Sequence, residues 1–293
     1  MLIAIGLDTD PTLSHFTRQA SRMVERLDLI NLRAAVGGEW CLPLNLDTPA
    51  WIAFGGRRID LRPEHAVYCR LIDLSSVSGG SARRRRWRSL ISGLAAWLEQ
   101  TPGRVANRPG HSADNGSKPL HETWLRRNGF AVPESLTSSQ RDRLTAFAEE
   151  GPCIAKSVAG VRADTRRVTG ADFADFTPER GPVHLQRRII GRDARLHVIG
   201  QTVHAELIES QAVDYRVAPA RFRPFEPPAD LAAQIVAATR QAGLVFAGWD
   251  FKLDDDGRFW CLEANPMPGY DSYDRRAQGA ITRSLVEQLI SRP

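Results

Sequence analysis

The sequence predicts an α/β protein built from more than one folding unit. Three observations carry that reading. The chain opens on a strand-like apolar run followed by helical spacing. A Gly-, Pro-, Asn- and Ser-rich stretch, Gly103 to Lys118, divides the chain. Beyond it, strand patterns recur, separated by short turns and then by helices. Residues 2–7 read as the first strand, and Thr12 to Leu29 as a helix through Phe16, Ala20, Met23, Val24 and Leu27. Trp51–Phe54 and Ala66–Leu71 have strand length, so the first hundred residues form an α/β unit. No GxGxxG follows the first strand, which leaves dinucleotide binding without support.

After the divide, Pro119 to Asn128 predicts a helix with Pro in its first turn and Gly129 behind it. Arg141–Glu150 is a second short helix, and Cys153–Ser157 a strand running into a glycine-bearing turn. His184–Ile190, Ala194–Ile199 and Thr202–Glu209 read as one antiparallel meander. Ala229–Ala242 is an amphipathic helix closed by Gly243. Leu244–Leu253 and Arg258–Ala264 form a hairpin around Asp255, Asp256 and Gly257, and Ala277–Ile290 closes the chain as a helix.

Composition narrows the class. The 293 residues are 42% hydrophobic and 25% charged, which suits a globular core. No apolar run reaches the length of a membrane span, and the N-terminus lacks a basic lead-in, so no membrane partner and no signal peptide are expected. The four cysteines stand far apart with no CxxC pair, predicting reduced thiols in a cytoplasmic protein. Arginine dominates the net charge of +5, partly through the run Arg83 to Arg86. Two readings exist for that run: an anionic partner, or the solvated start of a helix. The helical spacing of Ser89–Leu98 favours the second, and no nucleic-acid signature supports a nucleic-acid partner.

The chemistry gathers in the last hairpin. Side chains alternate along a strand, so Glu263 and Asn265 share a face, and Asp250 can oppose them. Like charges directly opposite are destabilising, and a hard divalent cation removes the conflict. Two carboxylates and an amide oxygen, with room for phosphate and water, describe a Mg²⁺ site. A solvated acidic hairpin accounts for Asp254 to Asp256 but poorly for Glu263, which follows the apolar run Phe259 to Leu262. Lysine is rare beside arginine, and Lys118 and Lys156 sit in a loop before a helix and in a strand. A compact ammonium suits phosphate contact, though either lysine alone is also an ordinary surface residue.

Taken in order, these motifs resemble the ATP-grasp superfamily of carboxylate ligases. The resemblance covers residues 105–275 and is most specific in "GWDF" and "LEANPMPG". Its expected architecture is an N-terminal Rossmann-like pre-ATP-grasp domain (1–104), a central lobe (105–183) and a C-terminal lobe with the metal site (184–293), the two α+β lobes sandwiching ATP. "CIAKSVAG" is similar to the second lysine strand, and "LQRRIIGRDARLHVIG" to the adenine hinge and its following strand. The branch it most resembles contains ribosomal-protein glutamate ligases and microviridin-type (graspetide) peptide cyclases, on "YCRLIDLSS", "VANRPG" and "ESQAVDYR".

The resemblance implies that Lys118 and Lys156 contact ATP phosphates and that Gln186, Arg187 and Arg188 form the hinge. It implies that Arg195 stabilises the transferred phosphoryl group and that Arg216 binds or activates the substrate carboxylate. Asp250, Glu263 and Asn265 would hold Mg²⁺, two ions in such enzymes, with Mn²⁺ as a substitute. Arg187 stands where relatives carry Glu, and the phosphate loop "VAGVRADTRRVTG" has few glycines. The implied reaction is ATP-dependent ligation of a carboxylate to an amine on a peptide or amino acid, through an acyl phosphate. Two alternatives stay open: a macrocyclase forming side-chain esters or amides in a ribosomal peptide, and a small-molecule kinase on the same fold. Dimers are common among such enzymes, so a homodimer is part of the expectation. Tyr270 and Ser272 are expected beside the acceptor.

Overall fold

The computed structural model describes residues 1–43, 45, 47–158, 165–210 and 219–291. Its first unit is a four-stranded parallel sheet in the order β2-β1-β6-β7, from β1 (Leu2–Gly6), β2 (Leu27–Asn31), β6 (Ala66–Cys69) and β7 (Val105–Ala106). Helices α1 (Pro11–Ala20), α2 (Leu32–Ala35) and α3 (Ser81–Gln100) connect it. A smaller antiparallel sheet, β3 (Glu39–Cys41), β4 (Ala50–Phe54) and β5 (Arg57–Leu61), packs with α3 on one apolar cluster around Trp87, Trp97 and Ile52.

One expected helix proves shorter. The helical spacing from Thr12 predicts a helix to Leu29, but α1 stops at Ala20 and Leu27–Asn31 pairs in parallel with β1. Leu27 and Leu29 belong to a period of two, and their contribution to a helical stripe was coincidental. At the other end, the Asp10 carboxylate caps α1 by accepting from the backbone N–H groups of Thr12 (2.9 Å) and Leu13 (3.3 Å). The arginine run lies in the first turns of α3, with Arg83 to Arg85 exposed and Arg86 stacked on Trp40 at 4.4 Å.

The middle unit is an antiparallel sheet, β10-β9-β11-β8, from β8 (Ser135–Ser138), β9 (Cys153–Lys156), β10 (Arg166–Val168) and β11 (Val183–Arg187). Helix α5 (Arg141–Glu149) packs on it through Leu144 and Phe147, and α4 (Lys118–Arg127) precedes it in the chain. The last sheet has the order β14-β13-β12-β15-β16: β12 (Arg192–Ile199), β13 (Thr202–Glu209), β14 (Arg221–Pro224), β15 (Phe246–Leu253) and β16 (Phe259–Asn265). Helices α6 (Ala229–Gln241), α7 (Asp271–Arg276) and α8 (Ala280–Ile290) complete it.

The expected meander is therefore two structures. Residues 183–187 pair with β8 and β9, whereas β12 pairs with β13 and β15. The chain passes between sheets at Gly191 (φ 149°), where a Cβ would lie 2.1 Å from the Leu253 carbonyl oxygen. Only glycine fits there.

Period-two alternation sets the two faces of the last sheet. Ala194, Leu196, Val198, Ala247, Trp249 and Phe251 bury against α6 and the α4 side. The opposite face carries Arg195, His197, Gly248, Asp250, Glu263 and Asn265, with α7 and α8 packing beyond them through Tyr270, Ile281 and Leu285. Residues of β1, α1 and β6 join that same cluster, which docks the first unit onto the last.

Asn107 fastens this junction. Its amide donates to the carbonyls of Phe246 and Pro266 (both 2.6 Å), and its oxygen accepts from the N–H groups of Val245 (2.8 Å) and Phe246 (2.9 Å). Four bonds use the whole capacity of the side chain. Arg70 makes a second clasp, pairing with Asp10 at 2.6 Å and donating to the Pro268 carbonyl at 2.8 Å. Among the described residues, no helix is long and apolar enough to cross a membrane. Replacing Asn107 with Ala strands four backbone groups, so a loss of about 2–3 kcal/mol in urea unfolding is expected.

Candidate active site

A row of charges crosses four strands on one face of the last sheet. Glu206 on β13 opposes Arg195 on β12, Arg195 opposes Asp250 on β15, and Asp250 opposes Glu263 on β16. Direct register puts all four side chains on one side. Arg195 Nη1 lies 2.8 Å from Asp250 Oδ1, and both side chains are largely buried. A register shift follows Asp250, so the Asp250–Glu263 pairing is kept while the strand beyond re-pairs as Phe251 with Cys261.

The expected hairpin geometry of Asp250, Glu263 and Asn265 is present. Asn265 lies opposite Gly248, two residues from Glu263 on the same face. Its Oδ1 accepts from the Met267 N–H at 2.8 Å, which fixes the amide and leaves a lone pair on that oxygen. Among the described residues no group of three or more His, Cys, Asp or Glu is placed to hold a metal ion, so a cation at this hairpin would take two carboxylates and an amide. That oxygen-only donor set, with two facing carboxylates, fits a hard divalent cation.

Arg195 is held from three sides. Asp250 pairs with it, and its Nε donates to His197 Nε2 at 3.3 Å. His197 is buried, and burial together with the Arg195 charge pushes its pKa well below the ordinary value. It is therefore neutral and can accept from the guanidinium, while a backbone hydrogen bond with Gly269 orients the ring. The third side is an absence of atoms. A Cβ on Gly248 would lie 2.2 Å from Arg195 Nη2 and 2.7 Å from Pro268 Cβ.

Lys118 begins α4, and its Nζ lies 3.8 Å from Glu263 Oε1. His121, one turn along, sets that distance. Its Nδ1 donates to the Ala113 carbonyl (2.5 Å), and its Nε2 accepts from the Ala264 N–H at 2.9 Å. Ala264 sits between Glu263 and Asn265 on the edge strand, so the helix is bonded to the strand that carries both. Burial lowers the His121 pKa and keeps the ring in this accepting state.

Lys156 lies on β9 and donates to Gln186 Oε1 at 2.7 Å. Gln186 is buried and in turn donates to Glu122 Oε1 at 2.7 Å. The same Glu122 oxygen is met by His184 Nε2 at 2.9 Å, and Ser135 donates to the other. Burial alone would raise the Glu122 pKa, but the hydrogen bonds from His184 and Ser135 outweigh it and hold the carboxyl below its usual range. Burial strips water from the Lys156 ammonium and, with the Lys118 charge nearby as the smaller cause, lowers its pKa to about 8.

Arg187 is not brought to this place. Neighbours along a strand face opposite ways, and its guanidinium pairs with Glu134 (3.1 Å) and Glu150 (2.5 Å) and lies 3.8 Å over Phe147. It binds β11 to α5, whereas Gln186 faces Lys156 together with His184. Arg188 contributes a backbone N–H to the Pro152 carbonyl at 2.9 Å. Arg216 and residues 159–164 of the phosphate loop lie outside the described residues.

Tyr270 turns into the core and presents no surface to solvent. It is fully buried, edge-on to Phe246, with its hydroxyl accepting from Thr282, and Ser272 is exposed on α7. An aromatic following a Pro-x-Pro-Gly turn had room to pack inward, and it did. Sequence reasoning missed His121, Glu122, Gly248, His197 and Glu206. Glu122, Gly248 and Glu206 act through partners distant in the chain, whereas His121, three residues from Lys118, and His197, two residues from Arg195 on one strand, had a local signal.

No family model matches the sequence, and no curated protein does. Solved structures do. The ATP-grasp ligase PsnB, solved with a minimal precursor, superposes at a TM-score of 0.80 with 27% identity, covering 98% of both chains. The macrocyclase MdnC of Microcystis aeruginosa MRC, bound with the precursor peptide MdnA, gives 0.84 with 17% identity over 100% of both chains. The D-Ala:D-Ser ligase VanG of Enterococcus faecalis gives 0.63 with 17% identity, covering 99% of this chain and 98% of that one.

The fold is that of ATP-grasp ligases, as the motif order implied. The chain is an ATP-dependent ligase, similar to the ATP-grasp ligases associated with ribosomal peptides. Gly248→Ala is expected to displace the Arg195 guanidinium and cut ligation turnover about 10²-fold. A thermal melt and steady-state kinetics on the purified variant check this. Cooperative unfolding should survive, and unchanged turnover would contradict the packing argument.

Proposed function

We propose that this chain joins a carboxylate of a peptide to an amine or hydroxyl, using ATP and Mg²⁺. The observation that supports it most is the charge row, in which Lys118, Glu263, Asp250 and Arg195 follow one another across a sheet. The PsnB structures with Mg and ADP and with a minimal precursor support the same reading for nucleotide, cation and peptide.

In this reading Lys118 and Lys156 hold the phosphates, and Gln186 and the backbone at Arg187 and Arg188 edge the nucleotide. Asp250, Glu263 and Asn265 hold the cation, two Mg²⁺ with Mn²⁺ able to replace them. The cation would supply charge neutralisation on the phosphate oxygens. The substrate carboxylate attacks the γ-phosphorus, the bond to the β-phosphate bridging oxygen breaks, and ADP leaves with that electron pair. Arg195 faces the phosphoryl group in flight and offsets its charge. The amine or hydroxyl then attacks the acyl carbon, loses a proton, and expels inorganic phosphate. A macrocyclase variant, with both reacting side chains on one peptide, is favoured by the full-length match to MdnC and PsnB.

Hydroxylamine distinguishes ligation from phosphorylation. With ATP, Mg²⁺ and synthetic peptides bearing Asp or Glu, a hydroxamate is expected; a stable phosphorylated alcohol without hydroxamate would overturn the ligase reading. Glu263→Gln should cut hydroxamate formation by about 10²–10³-fold, because a lost anionic ligand weakens the cation that offsets transferred charge.

A pH dependence follows from Lys156. Its ammonium, lowered to about 8, is charged below that pH and loses its proton above it. Nucleotide affinity of the free enzyme is therefore expected to be level below about pH 8 and to fall as pH rises through it. Lys156→Arg should move that fall beyond the accessible range in a fluorescent-nucleotide titration.

A further inference from the structure

The far end of the charge row holds a cation that no step above uses. Arg276 closes α7 and reaches the sheet face beside Glu206. Its Nε donates to both Glu206 oxygens (3.1 and 3.0 Å), and its Nη2 donates to Oε2 at 2.6 Å. The guanidinium carbon lies 3.9 Å from the Phe222 ring centroid and 4.7 Å from that of Tyr273. A paired edge and two aromatic rings hold the guanidinium plane in place. Yet 33% of the side chain stays exposed, and no described acceptor takes its Nη1 edge.

Position gives this cation its meaning. Along the face the order is Lys118, Glu263, Asp250, Arg195, Glu206, Arg276. Strands are spaced about 4.8 Å apart, so Glu206 stands one strand beyond Arg195, on the side away from Lys118. If phosphates enter from Lys118 and transfer occurs at Arg195, an in-line attacker must approach from the Glu206 side. Glu206 would repel a carboxylate there, but Arg276 neutralises it and still presents a free edge.

We propose that Arg276, held by Glu206, Phe222 and Tyr273, binds the acidic side chain of the peptide substrate and delivers it to the phosphoryl group. This site rests on the ligase reading above, and it is a substrate-binding role distinct from the phosphoryl contact of Arg195. A structural pair alone would affect stability without affecting the choice between acid and amide.

The test uses fluorescein-labelled synthetic peptides rich in Thr and Glu or Asp, against matched peptides with Gln or Asn. Binding is read by anisotropy with the full chain, Mg²⁺ and a non-hydrolysable ATP analogue, and hydroxamate formation is read in parallel. The native chain should prefer the acidic set by about tenfold, the scale of one desolvated charge contact. Arg276→Gln should erase that preference and leave the KM for ATP unmoved, while Arg276→Lys, which keeps charge without the planar fork, should retain part of it. A native chain with no acid preference, or an Arg276→Gln variant that keeps it, overturns the proposal. If Arg276→Gln fails to fold, the Lys variant decides, and undiminished binding of acidic peptides overturns it. Acid preference without any hydroxamate would instead overturn the ligase reading and leave this site standing.

Discussion

Two carboxylates facing each other on adjacent strands organise the rest of this site. Asp250 and Glu263 are in direct register, where like charges raise the free energy of the sheet. The surrounding structure offsets that cost from both sides. Arg195 pairs with Asp250 at 2.8 Å, and Lys118 stands 3.8 Å from Glu263. The longer Lys118 contact offsets the Glu263 charge less closely than Arg195 offsets that of Asp250. Electrostatic frustration at a strand pair is thus localised and flanked by cations.

The supports of those charges come from all three units. Helix α4 is bonded through His121 to the backbone between Glu263 and Asn265, so Lys118 cannot drift from the strand it faces. Gln186 passes the orientation of Glu122 to Lys156 across the middle sheet. From the first unit, Asn107 grips the start of β15 and the Pro266 carbonyl, and Arg70 grips Pro268. The Pro-x-Pro-Gly turn after Asn265 is held between the parallel sheet and the charge row. The first unit therefore helps to fix the shape of the site while contributing no charged group to the row itself.

What the sequence revealed follows the range of each interaction. Asp250 and Glu263 lie on one hairpin, and period-two alternation with a local turn is enough to oppose them. Strand-length runs bounded by the Gly191 and Gly200 turns also identified β12 and β13. The same alternation turns the Arg187 side chain away from the Lys156 side of the middle sheet, a consequence that motif order obscured. Period cannot tell a turn from a change of sheet, and so β11 and β12 read as neighbours. The pairs Gln186–Glu122 and Glu206–Arg276 are joined only by the tertiary fold, and no spacing rule links them. Tyr270 illustrates the converse: a residue next to the metal hairpin in sequence turned into the core, because burying an aromatic ring is worth more than leaving it beside a polar site.

His197 shows why the site depends on neutrality as much as on charge. A protonated imidazole beside Arg195 would add a second cation and remove the acceptor that the Arg195 Nε uses. Burial prevents this, since charging the ring inside the aromatic layer of Tyr270, Tyr273 and Phe246 carries a desolvation penalty. The ring therefore stays an acceptor across the working range, tied by Gly269 to the same turn that Arg70 holds at Pro268. A guanidinium fixed by a carboxylate, a neutral histidine and a side-chain-free glycine has its orientation set by folding, and a group so fixed in advance can offset a facing negative charge with little reorganisation.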